Sequence, residues 1–493
     1  MQNRRLFLLI LLFYLALGAG YALLTPVWQA PDEPAHFNNI VHIAQTGRLP
    51  VLQPGDYDQA YLEKLKAERF PPELSIAPVR YEGHQPPLYY LLMTPLLWLL
   101  QGAGLTAQVW ALRLFNVGIG ALVIFFIWLG ARRLFPKRPR VALLAAGFTA
   151  FLPMHIAMSA AINNDALAEL FIGAVMFRLL GALQEEATSP AHWAVTGLLI
   201  GLGLLTKFQA YILIPLAGAV WLWQIGRGWR AHELTARRWL TGVALALPAL
   251  LLALPWWLRN MAVYGPLDLF GLDRHAAVVV GQPRTADWIA SQGWSAYLDR
   301  FVTFTFRSFW GVFGWMGVFM DARVYLLFTL LTLLILTGLI WQLRRWLRGD
   351  LHLAGCQKRG LGLLALHLGL VAAAYLWYNL DFVQHQGRYF FPALLPISVF
   401  AVAGLLGVLT PAGSRRGGVA ALALWGYWLG LGLAAGDLNK WALLLTAGVA
   451  ALLFARAFWL RRSDAFWWAL AAEGLMALIA LYALFGAILP QLG

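Results

Sequence analysis

The sequence predicts an all-α polytopic membrane protein with about thirteen transmembrane helices and a long first outer loop that carries short interfacial helices. Three observations predict this fold class. Of the 493 residues, 60% are apolar and only 12% are charged, whereas soluble domains contain ~25% charged residues. Apolar stretches of about 20 residues, the length that spans a bilayer, recur along the whole chain. Lys and Arg gather in the short segments between them.

The composition also limits the class of function. A soluble core could not bury this much apolar surface, so a cytosolic enzyme, a disordered chain and a disulfide scaffold are excluded. The single Cys356 cannot form an internal disulfide. The 37 basic and 23 acidic residues give a net charge of +14, which could indicate a nucleic-acid partner. Because basic cytoplasmic loops produce the same excess in a protein with many spans, we expect no nucleic acid.

Each predicted span is an apolar stretch bounded by polar or turn-forming residues. The first follows Arg4 and Arg5 and has no clear cleavage site after it, so we interpret it as an uncleaved anchor rather than a signal peptide. No nucleotide-binding glycine loop or metalloprotease motif occurs. The predicted spans are residues 6–24, 107–131, 141–160, 166–183, 193–206, 208–225, 239–258, 323–343, 361–380, 389–409, 417–435, 440–459 and 465–489.

The apolar stretch 86–102 is ambiguous, and the basic loops decide its interpretation. It contains Pro95, which disfavours a straight helix. If the stretch is not a span, the basic clusters between the later spans all fall on the side of the N-terminus, as the positive-inside rule requires. We therefore predict a re-entrant or interfacial helix pair here, a cytoplasmic N-terminus, and two long outer segments, 25–106 and 259–322.

Two adjacent carboxylates and a histidine follow the first span, between two prolines. They are Asp32, Glu33 and His36. Where a chain leaves the bilayer, a carboxylate is partly desolvated, which raises its pKa and its basicity. A general base that deprotonates a hydroxyl needs this property. A solvated turn in which the acid caps the next helix explains the same residues, so both interpretations stay open.

A second polar group closes the first outer segment, immediately before the proline pair that begins 86–102. His84 and Gln85 lie there, and Tyr89 follows them. The free amides and the dipole at a helix N-terminus favour an anion, so one expectation is a bound phosphate. The other is a capped helix with tyrosines at the membrane border.

The outer turn after the third predicted span is also polar. It carries Asn163, Asn164 and Asp165. Asp165 either contributes to a site or, like the asparagines, caps the helix that it begins. Glu169 lies one turn deeper on the same helix face. Because a carboxylate facing lipid is costly, we expect Glu169 to point into a polar cavity.

Three cations lie at outer helix ends. Arg388 begins a span from the outer side, where a guanidinium can bind a phosphate with two hydrogen bonds. Snorkelling to the interface is the alternative explanation. Lys207 and Arg259 occupy similar positions. We expect the other polar residues of the outer turns to line an acceptor pocket, namely His36, Tyr89, Asn163, Asn164 and His385.

Taken in order, these motifs resemble the membrane glycosyltransferases of the GT-C fold. The likeness rests on APDEPAHF after the first span, HQPPLYYLL, NNDAL after the third span, PWWLRN, SFWG, and QGRYFFP before a later span. The similar branch contains dolichyl-phosphate-mannose protein mannosyltransferases, lipid A aminoarabinose transferases and bacterial relatives. The resemblance covers roughly residues 1–400, and the last spans are variable in such families.

The resemblance implies roles for several residues. The family's base, an acidic residue early in the first outer loop, falls on Asp32 with Glu33 beside it. A second acidic position of the family falls on Asp165. The family often places a basic residue before the proline pair, where it meets the donor phosphate. This chain has His84 and Gln85 there rather than a lysine, which leaves that role less secure.

The expected function is transfer of a sugar from a polyprenyl-phosphate donor to a hydroxyl of a glycan, lipid or protein, with inversion and Asp32 as general base. By position, Arg388, Lys207 and Arg259 stabilise the leaving lipid phosphate. No cofactor is required, although Asp32 and Asp165 could hold a divalent metal. The alternative is a transporter or flippase for a lipid-linked or amphiphilic solute, which would place polar groups near the bilayer midplane.

Domain organisation and location follow from the same features. We expect a catalytic transmembrane module over residues 1–322 and further transmembrane helices over 323–493, of which about 410–493 are variable. The resemblance implies a bacterial plasma membrane as the location. The N-terminus is then cytoplasmic, and the active site lies on the outer face among membrane lipids.

Overall fold

The structure, a computed structural model, describes residues 2–184, 188–233 and 235–493, and these are mostly helical. The helices up to the middle of the chain are α1 (Gln2–Leu24), α2 (Glu33–Thr46), α3 (Gln59–Ala67), α4 (Leu88–Leu99), α5 (Leu105–Leu134), α6 (Pro139–Ala150), α7 (Pro153–Ser159), α8 (Asp165–Ala182), α9 (Pro190–Leu204), α10 (Leu213–Arg230) and α11 (Ala236–Tyr264).

The second half of the chain continues the helical bundle and adds one small hairpin. Its elements are α12 (Leu272–Val278), α13 (Thr285–Trp310), β1 (Val312–Phe313), β2 (Val318–Phe319), α14 (Ala322–Leu347), α15 (Gly355–Asp381), α16 (Leu394–Val408), α17 (Pro411–Ala435), α18 (Lys440–Phe458), α19 (Ala465–Tyr482) and α20 (Leu489–Leu492). Tight helical turns at Phe208–Ile212 and Gly387–Ala393 precede α10 and α16, and a wider turn at Ala483–Ile488 joins α19 to α20.

The predicted all-α membrane fold is confirmed, but the count of thirteen spans is not. Within the three described ranges, ten helices are long and apolar enough to cross a membrane, or eleven if the bent pair α6–α7 is one span. The short α9 has 15 residues, which reach ~22 Å of a hydrocarbon core ~30 Å thick. Helix α8 contains three charged residues, Asp165, Glu169 and Arg178. These two helices account for the difference.

The connections between helices fall on two faces of the bundle. Residues 25–104 and 265–321 lie on one face, where Tyr264 binds the backbone of Leu52 and Trp315 binds that of Trp28. We call it the site face. Because successive helices alternate in direction, the basic clusters that end α5, α10 and α14 and begin α17 lie on the opposite face. This separation of charge is the one that the sequence predicts.

The stretch 86–102 forms one short helix, α4, rather than a helix pair. Pro95 lies inside α4 and does not end it, so the prediction of an interruption is wrong. Contacts with α2 stabilise this helix. Helix α4 packs on α2, and Trp98 Nε1 donates to the carbonyl of Ala44 at 3.1 Å. These contacts offset the backbone hydrogen bond that proline cannot make.

A bend of 67° separates α6 from α7 and shapes the site face. It falls at Phe151 and Leu152, just before Pro153, where the residue preceding a proline leaves helical geometry. Helix α7 then carries His155 and Met158 back toward the polar turn that begins α8. The predicted straight span 141–160 is therefore a broken one.

Close helix crossings hold the second half of the bundle together. Helices α14 and α16 meet at Gly338 and Gly404, where a Cβ atom added to Gly338 would lie 1.8 Å from the Gly404 carbonyl oxygen. In a membrane, where lipid is as apolar as leucine, such small residues let backbones approach and gain van der Waals contact. The crossing leaves no space for a side chain.

We expect Gly338→Ala to destabilise the protein, because the added methyl group must push α14 away from α16. Overpacking of this kind costs about 1–3 kcal/mol. Gly448→Ala is the matched control, since no atom lies within 4 Å of the position of its Cβ. Thermal unfolding in detergent should show a lower midpoint for Gly338→Ala and no decrease for the control. Equal midpoints would contradict the tight crossing.

Candidate active site

Asp32 stands before α2 in an unusual backbone conformation. Its φ is 65°, in the left-handed region that residues other than glycine seldom adopt. Its carboxylate makes no capping hydrogen bond to α2. Instead, Oδ1 accepts from the Tyr81 hydroxyl at 2.8 Å and Oδ2 accepts from the Arg388 guanidinium at 3.2 Å. Helix capping therefore does not account for this carboxylate.

Opposing effects set the ionisation of Asp32. Burial would raise the pKa of its carboxyl group, as the sequence leads us to expect. The positive charge of Arg388, His36 and the hydrogen bond from Tyr81 act in the opposite direction and hold the pKa below its ordinary value. The expectation of a raised pKa is wrong, because a guanidinium at hydrogen-bond distance outweighs the desolvation. Asp32 is ionised at neutral pH, and 32% of its side chain is exposed.

Asp165 begins α8 and pairs with Lys207, which follows α9. The Lys207 ammonium donates to Asp165 Oδ1 at 2.5 Å. The backbone N–H of Asp165 donates a hydrogen bond to Asn163 Oδ1 at 3.0 Å, and Asn164 Nδ2 donates one to Gln85 Oε1 at 3.3 Å. The asparagines thus hold the turn, although Asn164 at the N-cap position makes no capping hydrogen bond to α8. The Asp165 carboxylate contacts a cation.

Arg388 enters the site from the turn before α16. Its Nε donates to Gln386 at 2.7 Å, one terminal nitrogen donates to Asp32, and the other lies 3.5 Å from the sulfur of Met158. Only 9% of the side chain is exposed. A buried guanidinium between these partners does not snorkel, so that explanation fails.

Four of the predicted residues therefore meet at the site face. Asp32, Asp165, Arg388 and Lys207 form what we call the acid–cation cluster. The charge of Arg388 acts on both carboxylates, and so does His36. The four residues come from widely separated parts of the chain and carry two negative and two positive charges. The arrangement is balanced in charge yet contains a carboxylate that solvent reaches.

His36 and Tyr89 lie beside this cluster in its buried wall. Nδ1 of His36 is 2.8 Å from the Tyr90 hydroxyl, and burial lowers the pKa of His36. Tyr89 is fully buried. Its hydroxyl has no hydrogen-bond partner within the described ranges. Burial therefore disfavours the charged form of His36 beside Asp32.

The structure adds residues that the sequence did not single out, namely Tyr81, Glu82 and His275. The ring centroids of His84 and His275 are 4.4 Å apart. Nδ1 of His84 donates to the Tyr81 carbonyl at 3.3 Å. Burial, and then the neighbouring His275, lower the pKa of His84 well below its ordinary value. One carboxylate oxygen of Glu82 is buried and has no partner among the described residues. The position of Glu82 beside the HQPP motif could have identified it as a site residue. No feature of the sequence identifies His275.

Glu33 lies away from the acid–cation cluster. Its carboxylate makes two hydrogen bonds to Arg113, at 2.6 and 2.7 Å, and is fully buried. It also accepts the backbone amides of Trp28 and Ile162, both at 3.1 Å. Four donors therefore occupy the carboxylate, and none of its surface is open to a substrate.

Arg259 and His385 also stand apart from the cluster. Arg259 donates to the Pro50 carbonyl at 2.5 Å, which ties the first segment of the site face to α11. The ring of His385 packs edge-on against Tyr297 at 4.9 Å and Phe301 at 5.1 Å. Their predicted contacts with phosphate and acceptor stay predictions.

A metal site is not evident from the side chains that the structure describes. Within those ranges, no three or more His, Cys, Asp and Glu residues are grouped so that they could hold a metal ion. Asp32 and Asp165, the predicted metal ligands, each contact a cationic side chain. The metal requirement therefore stays untested.

Comparison with known proteins extends these observations. A family model described as dolichyl-phosphate-mannose-protein mannosyltransferase matches residues 84–257, about a third of the chain. The matched range begins at His84 and includes Asp165 and Lys207. The match, together with the helical membrane fold, confirms the resemblance noted in the motifs. Residues 84–257 are thus similar to this family of membrane glycosyltransferases. No curated protein sequence matches it significantly.

Two solved structures of similar fold are the following. ArnT from Cupriavidus metallidurans in the apo state is 16% identical with a TM-score of 0.50, and the match covers 97% of this chain and 76% of that one. The oligosaccharyltransferase of Archaeoglobus fulgidus in the apo form is 14% identical with a TM-score of 0.49, and 96% of this chain is covered. The chain spans only about half, 56%, of the length of the oligosaccharyltransferase.

We expect Glu33→Gln to lower stability strongly, because it leaves Arg113 charged and buried without its counter-ion. Removing one partner of a buried ion pair costs about 3–5 kcal/mol. Glu63→Gln, which breaks the exposed pair with Lys66, is the control and should change the melting midpoint little. Thermal unfolding in detergent distinguishes the two. A catalytic Glu33 would instead give a variant of normal stability without activity.

Proposed function

We propose that the protein is an integral membrane glycosyltransferase that moves a sugar from a polyprenyl-phosphate donor to a hydroxyl acceptor at the outer membrane face. The observation that carries the proposal is the acid–cation cluster, in which the partly exposed Asp32 carboxylate contacts Arg388 and the Asp165 carboxylate contacts Lys207. The family description supports the donor class, because it names a dolichyl-phosphate sugar. The basic loops of the opposite face support the outer location, because such loops stay in the cytoplasm.

Asp32 is the proposed general base. It accepts the proton of the acceptor hydroxyl while the hydroxyl oxygen attacks the anomeric carbon of the sugar. The bond from that carbon to the phosphate oxygen breaks, and the polyprenyl phosphate leaves with the bonding electrons. A single displacement inverts the anomeric configuration. The lowered pKa of Asp32 supports this role because it keeps the base ionised, although it also makes the base weaker.

Arg388 and Lys207 are the proposed partners of the leaving phosphate. One N–H group of Arg388 donates to the thioether of Met158, which is a weak acceptor. A phosphate oxygen can therefore replace that contact with little loss of free energy. Lys207 has three donors and uses one on Asp165. Asp165 would then position the ammonium rather than take part in proton transfer. Stabilising charge that develops on a leaving group is commonly the largest single contribution to catalysis.

We assign His84 to the sugar or the acceptor rather than to the phosphate. Its Nδ1 proton is donated to the Tyr81 carbonyl, so the neutral ring offers Nε2 as an acceptor. An acceptor nitrogen repels a phosphate oxygen and suits a hydroxyl group. Gln85, which Asn164 holds at 3.3 Å, is left with amide donors for the same ligand. In this proposal Arg388 belongs to the catalytic site although it lies outside the predicted module 1–322.

We expect Asp32→Asn to reduce sugar transfer about 10²–10⁴-fold, the usual contribution of a general base. The amide has the same shape and can still accept from Tyr81, so the melting midpoint should stay near wild type. Asp299→Asn, at an exposed position of α13, is the control and should keep full activity. Mass spectrometry of purified protein with a panel of polyprenyl-phosphate sugars gives the donor and the rate.

Full activity of the Asp32→Asn variant would show that Asp32 is not the general base. Reconstitution in liposomes addresses the transporter alternative, for which the buried pair of His155 and Glu169 is the relevant feature. A glycosyltransferase forms product in the presence of donor without solute crossing the bilayer. Solute movement without product would favour transport.

We expect Arg388→Gln to move the acidic limb of the pH–rate profile to higher pH. A base acts when deprotonated, so activity falls as the pH drops through the pKa of Asp32. In the wild type Arg388 holds that pKa below its ordinary value, and without the cation burial raises it. The measurement is kcat/KM against pH for both enzymes. Lower activity with an unshifted limb would show that Arg388 acts on the donor alone.

A further inference from the structure

A basic slot lies on the opposite face of the bundle, far from the acid–cation cluster. It is a cavity of about 430 Å³ between the last turns of α14 and the first turns of α17. Three arginines line it: Arg344, Arg415 and Arg416. Helix α16, which starts beside Arg388, ends just before α17, so a full helix length separates this slot from the cluster.

The slot changes from apolar to basic along its length. Ile340 and Val419 line it and are 52% and 60% exposed on the outside of the bundle. Thr337 and Arg344 on α14 are two turns apart, which corresponds to about 10 Å. A ligand that fills the slot therefore meets aliphatic side chains toward the membrane interior and guanidinium groups at the membrane border.

Among the residues that the structure describes, no acidic side chain neutralises the positive charge of the slot. Arg416 lies over the ring of Trp341 at 3.6 Å and donates to the Ala412 carbonyl at 3.2 Å. Across the described ranges, no acidic side chain forms an ion pair with any of the three arginines. The N-terminal end of α17 adds partial positive charge at the same place.

We propose that the slot binds an anionic phospholipid with two phosphates, of the cardiolipin class, from the leaflet at that face. Its phosphates would contact the three guanidinium groups, and its acyl chains would lie along Ile340 and Val419. Basic pockets between transmembrane helices on the cytoplasmic side bind such headgroups, and arginine pairs with phosphate through two hydrogen bonds. Free phosphate would gain nothing from the aliphatic wall. The site is independent of the proposed sugar transfer.

Native mass spectrometry of the delipidated full-length protein, titrated with cardiolipin, tests the proposal. Replacing all three arginines with glutamine should weaken binding about 100-fold, since each basic residue near a membrane surface contributes about five-fold. The control variant changes Arg461 and Arg462, which are exposed at the same face but do not line the slot. It should bind as wild type does.

Binding of other ligands identifies the ligand class, and further variants and melting measurements exclude misfolding. Phosphatidylcholine, inorganic phosphate and a polyprenyl monophosphate should each bind at least ten-fold more weakly than cardiolipin. A triple arginine-to-lysine variant keeps the charge and should retain most of the affinity, and all variants should melt near the wild-type midpoint in neutral detergent. Equal binding by the glutamine and wild-type proteins, or by cardiolipin and phosphatidylcholine, would overturn the proposal. If the polyprenyl phosphate binds as tightly as cardiolipin, the slot is a site for that lipid instead, and the proposed ligand is wrong.

Discussion

The buried ion pair between Arg113 and Glu33 is the interaction on which the site depends. Arg113 on α5 donates to three backbone carbonyls at the end of α1, and Glu33 accepts amides from both the first segment of the site face and the turn before α8. Five backbone groups from two stretches of the chain, residues 22–28 and Ile162, therefore meet at one ion pair. Asp32, the residue before Glu33, has a left-handed backbone conformation. Such strain persists only where the surroundings over-determine it.

Around that anchor, the cluster is built from helix ends rather than from a continuous segment. Asp165 begins α8, Lys207 follows α9, and Arg388 precedes α16. The bend between α6 and α7 brings Met158 against Arg388, so a broken helix completes the site. Helix ends suit this purpose, because the interiors of membrane helices cannot expose polar groups without large cost. Each carboxylate has its own cation, which leaves the site with little net charge before substrate binds.

The sequence identified the residues of the acid–cation cluster but not the contacts that they make. Asp32, Asp165, Arg388 and Lys207 are each conspicuous as polar residues at apolar borders, and the structure brings them together. Glu33 looks equivalent to Asp32 in the sequence, yet its partner is 80 residues away, and no local pattern announces such a pairing. His275 is likewise invisible, because it reaches His84 from α12 by folding alone. The sign of the pKa change at Asp32 depended on the distance to Arg388.

Composition and local order were enough to predict an all-α membrane protein, basic loops on a single side of the bundle, and the polar turns that were candidates for a site. Those properties follow from composition and local order, since hydropathy and the positive-inside bias act on each segment separately. Contacts between distant parts of the chain keep Pro95 within a helix, bend α6 relative to α7, and make Glu33 part of a buried ion pair. These outcomes depend on which distant groups come within hydrogen-bond reach, and electrostatic and packing energies change over a few ångströms.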